Sequence, residues 1–469
     1  MNLNNLKDKK IALVFGQSIE GCGVTRNGSE MWAWCKKNNL NFTIFSYDER
    51  TYNRRDAHEM EFVSFKREDI EETVKDLNTY DMVLFNSYPS NKFNKESIMD
   101  FYHKLVKNIT TIKVGFMHEL NKANIDKIPY ILGIMNEMDI IYNFSEDTWF
   151  SNTIAKILPS KKIGERIKKF TMWFNFDDLD EIRERVQLED KDCKLMYLGR
   201  WTTMKDPRRV LDMGKELVDN NIGCKLLGIE RSIGAKFDIF EHPNCIDMTG
   251  KEPKYISEDA CVPVHGTYVR NEGMEEMAKS LFGCSFYRMP KDPKGYGDRM
   301  EYTQIEIIAV GSIPVFDKHW GENNFRRNGQ SYLDTPYSAI YSDKENLQET
   351  IDTLIKVSKD KELQNKIRET SYKIVKEEFD ANIVLPEMFN YILSVGKDTN
   401  KFKNEEKLIK TLIHEDFIEE FMDLYNKEVE NNEIPVLGIR ELYENNILSV
   451  LDGKKEKEIK VFKKSRLKK

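Results

Sequence analysis

Unbroken apolar runs, each followed by a stretch of helical periodicity, are the feature that most restricts how this chain can fold. KKIALVFG (residues 9–16), NFTIFSY (41–47), YDMVLFNS (80–87), TIKVGFMH (111–118) and MDIIYNFS (138–145) read as strands, and 30–38, 68–77 and 95–107 as helices. A strand buried on one face alternates apolar with polar residues, whereas these runs do not alternate. They predict a parallel sheet covered on both sides by crossover helices. The pattern restarts beyond an acidic stretch at 177–192. CKLMYLG is a strand ending at Gly199, residues 207–220 form a helix with Pro207 near its first turn, and CKLLGIE and GSIPVF are further strands. EYTQIEIIAV is the helix before GSIPVF, and 346–379 and 383–394 are helical. The expected architecture is therefore α/β, with two Rossmann-like domains facing an interdomain cleft and a charged, helix-rich C-terminal extension. In such sheets ligands bind beyond the carboxyl ends of the strands.

Composition narrows the function classes. The 469 residues are 40% hydrophobic and 32% charged, which suits sizeable cores in a soluble chain. No apolar run approaches the roughly 18 residues of a membrane span, and the polar start MNLNNLKDKK lacks a secretory signal. Seven scattered cysteines, never spaced C-x-x-C, argue for a reducing cytoplasm without a disulfide framework or zinc knuckle. A net charge of -7 excludes a uniformly basic nucleic-acid binder. It leaves room for a local basic groove, because charge is screened over about 8 Å at physiological salt.

Four elements at expected strand ends or helix starts carry candidate chemistry. After the first strand, EGCGVT places Gly21 and Gly23 where the backbone can approach a ligand and a following helix can direct amides at an anion. After the strand that opens the second half, GRWTTMK sends Arg200 and Lys205 toward the cleft, a fork and a point charge suited to phosphate. Glu301 and Glu306 are five residues apart, about 140° on a continuous helix. They would touch two separated hydroxyls rather than one atom, provided Glu301 stands at the helix start. His118 and Glu119 close the strand TIKVGFMH, where His118 could donate to a sugar hydroxyl and Glu119 accept a proton. Each element taken singly also reads as ordinary turn, surface or strand-end chemistry. Their convergence from both halves points to a phosphorylated donor held in an interdomain cleft.

The segments EGCGVT, LFNSYPS, GRWTTMKD, GIERS, MEYTQIEIIAVGSIPVF and GENNFR, in this order across about residues 10–395, make the chain resemble the DNA α-glucosyltransferases of T-even bacteriophages. The resemblance implies a GT-B fold, a UDP-sugar donor (UDP-glucose foremost), retention of anomeric configuration and no obligatory metal. It implies residues 1–180 as an acceptor domain, 181–380 as a nucleotide-sugar domain, 381–400 as a helix returning to the first, and 401–469 as an extension that the phage enzyme lacks. Residue by residue, Gly21 and Gly23 close a loop over the donor, and Arg200 and Lys205 neutralise its diphosphate. Glu306 takes the ribose, Glu301 with Tyr302 lies nearer the sugar or diphosphate, and Glu230, Arg231 and Ser232 form a loop near the nucleotide. His118 belongs to the sugar site, and Glu119 stands where the family has aspartate. The proton of the attacking hydroxymethyl group would pass to a departing phosphate oxygen or to Glu119.

The partner implied is double-stranded DNA carrying a hydroxymethylpyrimidine, modified in the host cytoplasm by a monomeric enzyme. A duplex bears one charge per about 1.7 Å, so a basic path is needed. Arg50, Arg54 and Arg55 with Lys66 and Arg67, then Lys161, Lys162, Arg166, Lys168 and Lys169, and the lysine-rich C terminus are the candidates. The target base would leave the stack, with Arg54 or Arg55 filling the gap. Two other readings compete: a GT-B transferase with a glycan, lipid or protein acceptor, which the acidic net charge favours, and a DNA-binding scaffold, which the intact set Arg200, Lys205, Glu301 and Glu306 argues against.

Overall fold

The computed structural model describes residues 4–15, 23–47, 60–66, 68–86, 96–117, 134, 137–143, 167–169, 171–201, 205–229, 238–249, 254–255, 257–266, 270–286 and 300–397. Among these, seven strands form a first sheet: β1 (Lys10–Phe15), β2 (Asn41–Tyr47), β3 (Phe62–Phe65), β4 (Met82–Asn86), β5 (Ile112–Met117), β6 (Ile140–Asn143) and β7 (Ile167–Lys169). Their spatial order is β3-β2-β1-β4-β5-β6-β7, and every described pairing is parallel. Helices α1 (Asn4–Lys7), α2 (Gly23–Lys37), α3 (Ile70–Leu77) and α4 (Glu96–Asn108) accompany it. In β1, Ile11, Leu13 and Phe15 enter one core while Ala12 and Val14, equally buried, face the other side. That is why the run does not alternate in polarity.

The second sheet contains β8 (Asp192–Arg200), β9 (Gly223–Ile229), β10 (Cys245–Asp247), β11 (Lys254–Tyr255), β12 (Val262–His265), β13 (Ser280–Ser285), β14 (Ile313–Asp317) and β15 (Ile340–Ser342). The order is β11-β10-β12-β9-β8-β13-β14-β15, with β10 and β11 antiparallel. Its helices are α5 (Asp177–Arg185), α6 (Arg208–Asp219), α7 (Arg270–Ala278), α8 (Tyr302–Ala309), α9 (Lys318–Asn323), α10 (Leu347–Ser358) and α11 (Lys361–Phe379). The two faces of β8 feed separate cores, Leu195 and Tyr197 on one side and Met196 and Leu198 on the other. In both sheets the strand order reverses beside the opening strand, between β1 and β4 and between β8 and β13. Such reversal points are where open α/β sheets hold ligands.

The chain crosses between the sheets twice, and the crossings are tied together. Phe174 pairs with Asp380 in a parallel bridge: Phe174 N donates to Phe379 O at 2.7 Å and Ala381 N to Phe174 O at 2.9 Å. After Asp380, α12 (Ala381–Val395) packs Val384, Leu385, Met388, Phe389 and Ile392 into the core of the first sheet. Asp380 starts this helix by accepting from Asn382 N at 2.8 Å. The side chain of Asn382 then accepts from Trp34 Nε1 at 3.1 Å, fixing α12 against α2. Among the described residues no helix is long and apolar enough to cross a membrane.

Helix α2 starts at Gly23, seven residues before the start at Glu30 that the sequence suggests. Its first turns (GVTRNGS) are poor in helix formers, yet Thr25, Arg26, Asn27, Ser29 and Glu30 are buried, so tertiary contacts hold them. Gly28 allows α2 to lie close on β1, because a Cβ there would sit 2.1 Å from Phe15 Cζ, with two more ring atoms within 3.0 Å. Replacing glycine by alanine in a helix gains about 1 kcal/mol from propensity, but overpacking a core typically costs about 1–3 kcal/mol. With Phe15 locked in the core, Gly28→Ala is expected to be net destabilising, read as a lower urea midpoint at unchanged m-value.

Candidate active site between the two lobes

The reversal points of the two sheets face each other through the first turns of α2 and α8. Asn27 Nδ2 donates to Tyr302 Oη at 3.3 Å. Arg26 pairs with Glu30 one turn on, Nε to Oε1 at 2.6 Å, and its Nη2 lies 3.4 Å from Glu306 Oε1. Arg270, at the start of α7, donates from Nε to the same Glu306 oxygen at 2.9 Å. Glu30 also accepts from Asn175, from the backbone N at 2.9 Å and from Nδ2 at 2.6 Å. The Arg26 guanidinium lies over the rings of Phe174 and Tyr302, 5.6 Å from each centroid. Two carboxylates and two guanidiniums thus share a buried junction between the lobes. Burial pulls the Arg270 guanidinium down from its ordinary value, with the like charge of Arg26 adding to this, while Glu306 and Glu30 act in the opposite sense.

Beside this junction stands a second ionic pair. Lys205, just beyond β8, donates to the carboxylate of Glu301, the residue that precedes α8. Glu301 has extended backbone (φ -104, ψ 158), and its N–H donates to Gln304 Oε1 at 2.8 Å. The condition set for the two glutamates is therefore met: Glu301 stands at the helix start and Glu306 one turn inside it. Both members of the Lys205–Glu301 pair are partly exposed, with side chains 18% and 31% accessible. An incoming anion can compete for Lys205 there. Gln304 Nε2 is buried without a hydrogen-bond partner, a spare donor next to the pair.

Arg200 is the last residue of β8, adjacent to Trp201. Trp201 is buried over β9, where a Cβ at Gly228 would fall 2.0 Å from its Nε1. The glycine thus lets the indole lie on the backbone of β9. Gly23 opens α2 with nothing within 4 Å of where a Cβ would lie. Gly21, His118, Glu119, Glu230, Arg231, Ser232, Arg50, Arg54, Arg55, Lys161 and Lys162 lie outside the described residues, as does the extension from 401. His118 and Glu119 follow β5 directly, between β4 and β6 in the sheet. Lys168 and Lys169 are on the edge strand β7, and Lys168 Nζ sits 5.9 Å from the centroid of Tyr391. Lys66 is exposed after β3. Sequence reasoning missed Arg26, Arg270 and Gln304. The available signal was Arg26 four residues before Glu30, a helical spacing that puts an ion pair on one face.

Known proteins share the family and the fold of this chain. The model of a family described as DNA alpha-glucosyltransferase matches residues 22–362. The DNA alpha-glucosyltransferase of Enterobacteria phage T4 is 24% identical over 407 residues, 82% of this chain and 99% of that protein. A solved alpha-glucosyltransferase in complex with UDP superposes with a TM-score of 0.67 at 21% identity, over 82% of this chain and all of that one. Another, in complex with UDP-glucose and DNA containing an abasic site, gives 0.68 at 21% over 82% and 99%. HepE of Anabaena in complex with UDP shares the fold more distantly, with a TM-score of 0.57 at 9% identity over 82% of this chain and all of that one.

The junction yields its own expectation. Arg26→Gln and Glu306→Gln should each lower stability, because either change leaves a buried charge poorly compensated. The double variant should cost less than the sum of the two, with a coupling of about 0.5–3 kcal/mol in a denaturant double-mutant cycle.

Proposed function

The chain belongs to the DNA α-glucosyltransferase family and is a glycosyltransferase of GT-B fold, and from that premise we propose that it transfers glucose from UDP-glucose, with retention, to the hydroxymethyl group of a 5-hydroxymethylpyrimidine in DNA. The observation that carries the donor half of this reading is the Lys205–Glu301 pair at the reversal point of the second sheet. It joins a cation leaving β8 to a carboxylate at the start of α8, across from α2 of the other lobe. UDP occupies the carboxyl ends of β8, β9 and β13. Its pyrophosphate takes Lys205 from Glu301 and meets Arg200, and the freed Glu301 turns to a sugar hydroxyl. The ribose reaches Glu306 by displacing Arg26, whose 3.4 Å contact is longer than the 2.9 Å contact of Arg270.

Catalysis then rests on stabilising the charge that grows on UDP as the glycosidic bond breaks. Lys205, Arg200 and the first amides of α8 supply positive charge at the place where the negative charge develops. These groups provide the cationic stabilisation without calling for a bound metal. The hydroxymethyl oxygen attacks the face that UDP leaves, which retains the configuration. His118 and Glu119 come directly after β5 in the chain, the strand next to β4 in the first sheet. His118 donates to a sugar hydroxyl, and Glu119 orients the acceptor. With phage DNA as acceptor, the reaction takes place in the cytoplasm of the infected cell.

Incubation with UDP-sugars and DNA containing 5-hydroxymethylcytosine or 5-hydroxymethyluracil, followed by nucleoside mass spectrometry, is expected to show a hexosylated nucleoside with UDP-glucose. No added mass with any UDP-sugar would rule the reading out. Lys205→Ala is expected to lower transfer by about one to two orders of magnitude and to reduce thermal stabilisation by UDP.

A further inference from the structure

GENNFR, part of the resemblance but without a role so far, runs from the end of α9 into a pinned hairpin. Phe325 and Ser331 pair in an antiparallel bridge, Arg326 N donates to Gln330 O at 2.9 Å, and Gly329 N donates to Arg326 O at 2.9 Å. Gly329 turns the chain with φ +85, a conformation suited to glycine. The hairpin is anchored through Arg326, whose Nε donates to Glu378 Oε1 at 2.8 Å, while Tyr332 Oη donates to Oε2 of the same carboxylate at 2.6 Å. Glu378 itself is buried. A rigid mount thus holds the Phe325 ring 48% exposed, although a phenylalanine ordinarily gains by burial.

The ring faces a cavity of about 720 Å³ that straddles the lobes, lined from the first by Tyr142, Lys168 and Tyr391 and from the second by Met300, Phe325 and Arg327. Its position relates it to both substrates. Met300 immediately precedes Glu301. Tyr142 is the register partner of Phe116, two residues before His118, and the two rings stack at 5.7 Å. The cavity therefore adjoins the acceptor side of the catalytic cleft. Lys168 lines it, and Arg327 at its rim pairs at 3.1 Å with Glu387 in a half-exposed bridge that an incoming anion can open. Aromatic faces beside cations at the edge of a groove are the chemistry that holds unstacked nucleotides: bases stack on the rings and phosphates meet the cations.

We infer that this cavity is a nucleotide subsite: Phe325 stacks on the base of a nucleotide flanking the target, and Lys168 and Arg327 take the adjoining phosphates. The inference rests on the DNA-acceptor reading and specifies where the strand leaves the catalytic cleft. A duplex with one 5-hydroxymethylcytosine and 2-aminopurine placed in turn on either side of it tests the idea with the full chain. The wild type is expected to quench 2-aminopurine at one of the two positions. Phe325→Ala should abolish that quenching and weaken duplex binding about 10-fold, while Phe325→Trp should keep both. Quenching and affinity unchanged in Phe325→Ala, with thermal unfolding like the wild type, would overturn the subsite. So would a wild type that glucosylates the DNA but quenches at neither position, and in both cases the DNA-acceptor reading stands. A wild type that binds the duplex yet transfers no hexose to it, read by mass spectrometry on the same samples, overturns the functional reading and the subsite with it.

Discussion

The buried ionic junction of Arg26, Glu30, Glu306 and Arg270 is the contact on which the arrangement of the site depends. Charges removed from water are tolerated when each has a close opposite partner and its remaining hydrogen-bonding capacity is filled. Here Glu30 takes Arg26 on one oxygen and Asn175 on the other, and Glu306 is shared by two guanidiniums. Because the partners come from α2, from the crossing segment at Asn175, from α7 and from α8, the junction sets the position of the first sheet against the second. A shift of one lobe relative to the other would strand at least one of these charges. Glu306, from α8, thereby helps to hold the two lobes in register through Arg26 of α2.

Two independent sheets bring their reversal points to a single cleft, and the reason lies in chain direction. A parallel sheet sends every crossover helix off from the same edge, so all its loops emerge on one side. When two such sheets are set edge to edge by their loops, α2 and α8 meet start to start. The starts of both helices then lie beside one another, with Lys205 at the start of α8, an arrangement suited to an anion.

Much of this was legible in the sequence, and the parts that were not share physical causes. The long, continuously apolar strands β1, β2, β4, β5, β6, β8, β9 and β14 fall on the runs that announce them, since burial on both faces leaves little other composition possible. The missed strands lack that signature. β3 is a half-exposed edge, β7 has three residues, two of them lysines, β12 contains Pro263, and β13 carries Ser280, Gly283 and Ser285 despite complete burial. The helical run 346–379 is two helices, because Asp360 stops the first and caps the second by accepting from Leu363 N at 2.9 Å. At the site, residues next to strand ends were readable from position alone. Arg26 and Arg270 were not, for their partners lie far away in sequence and only the fold brings them together.

The bridge between Phe174 and Asp380 has a mechanical consequence. Lobes joined by a single strand of chain can swivel about it in any direction. Two strands bonded side by side behave like a hinge with two knuckles: bending across their common line is easy, while twisting or sliding strains the hydrogen bonds that join them. Any rotation of one lobe against the other about this line would thereby be confined to one arc, one that brings the same residues back to the same opposition.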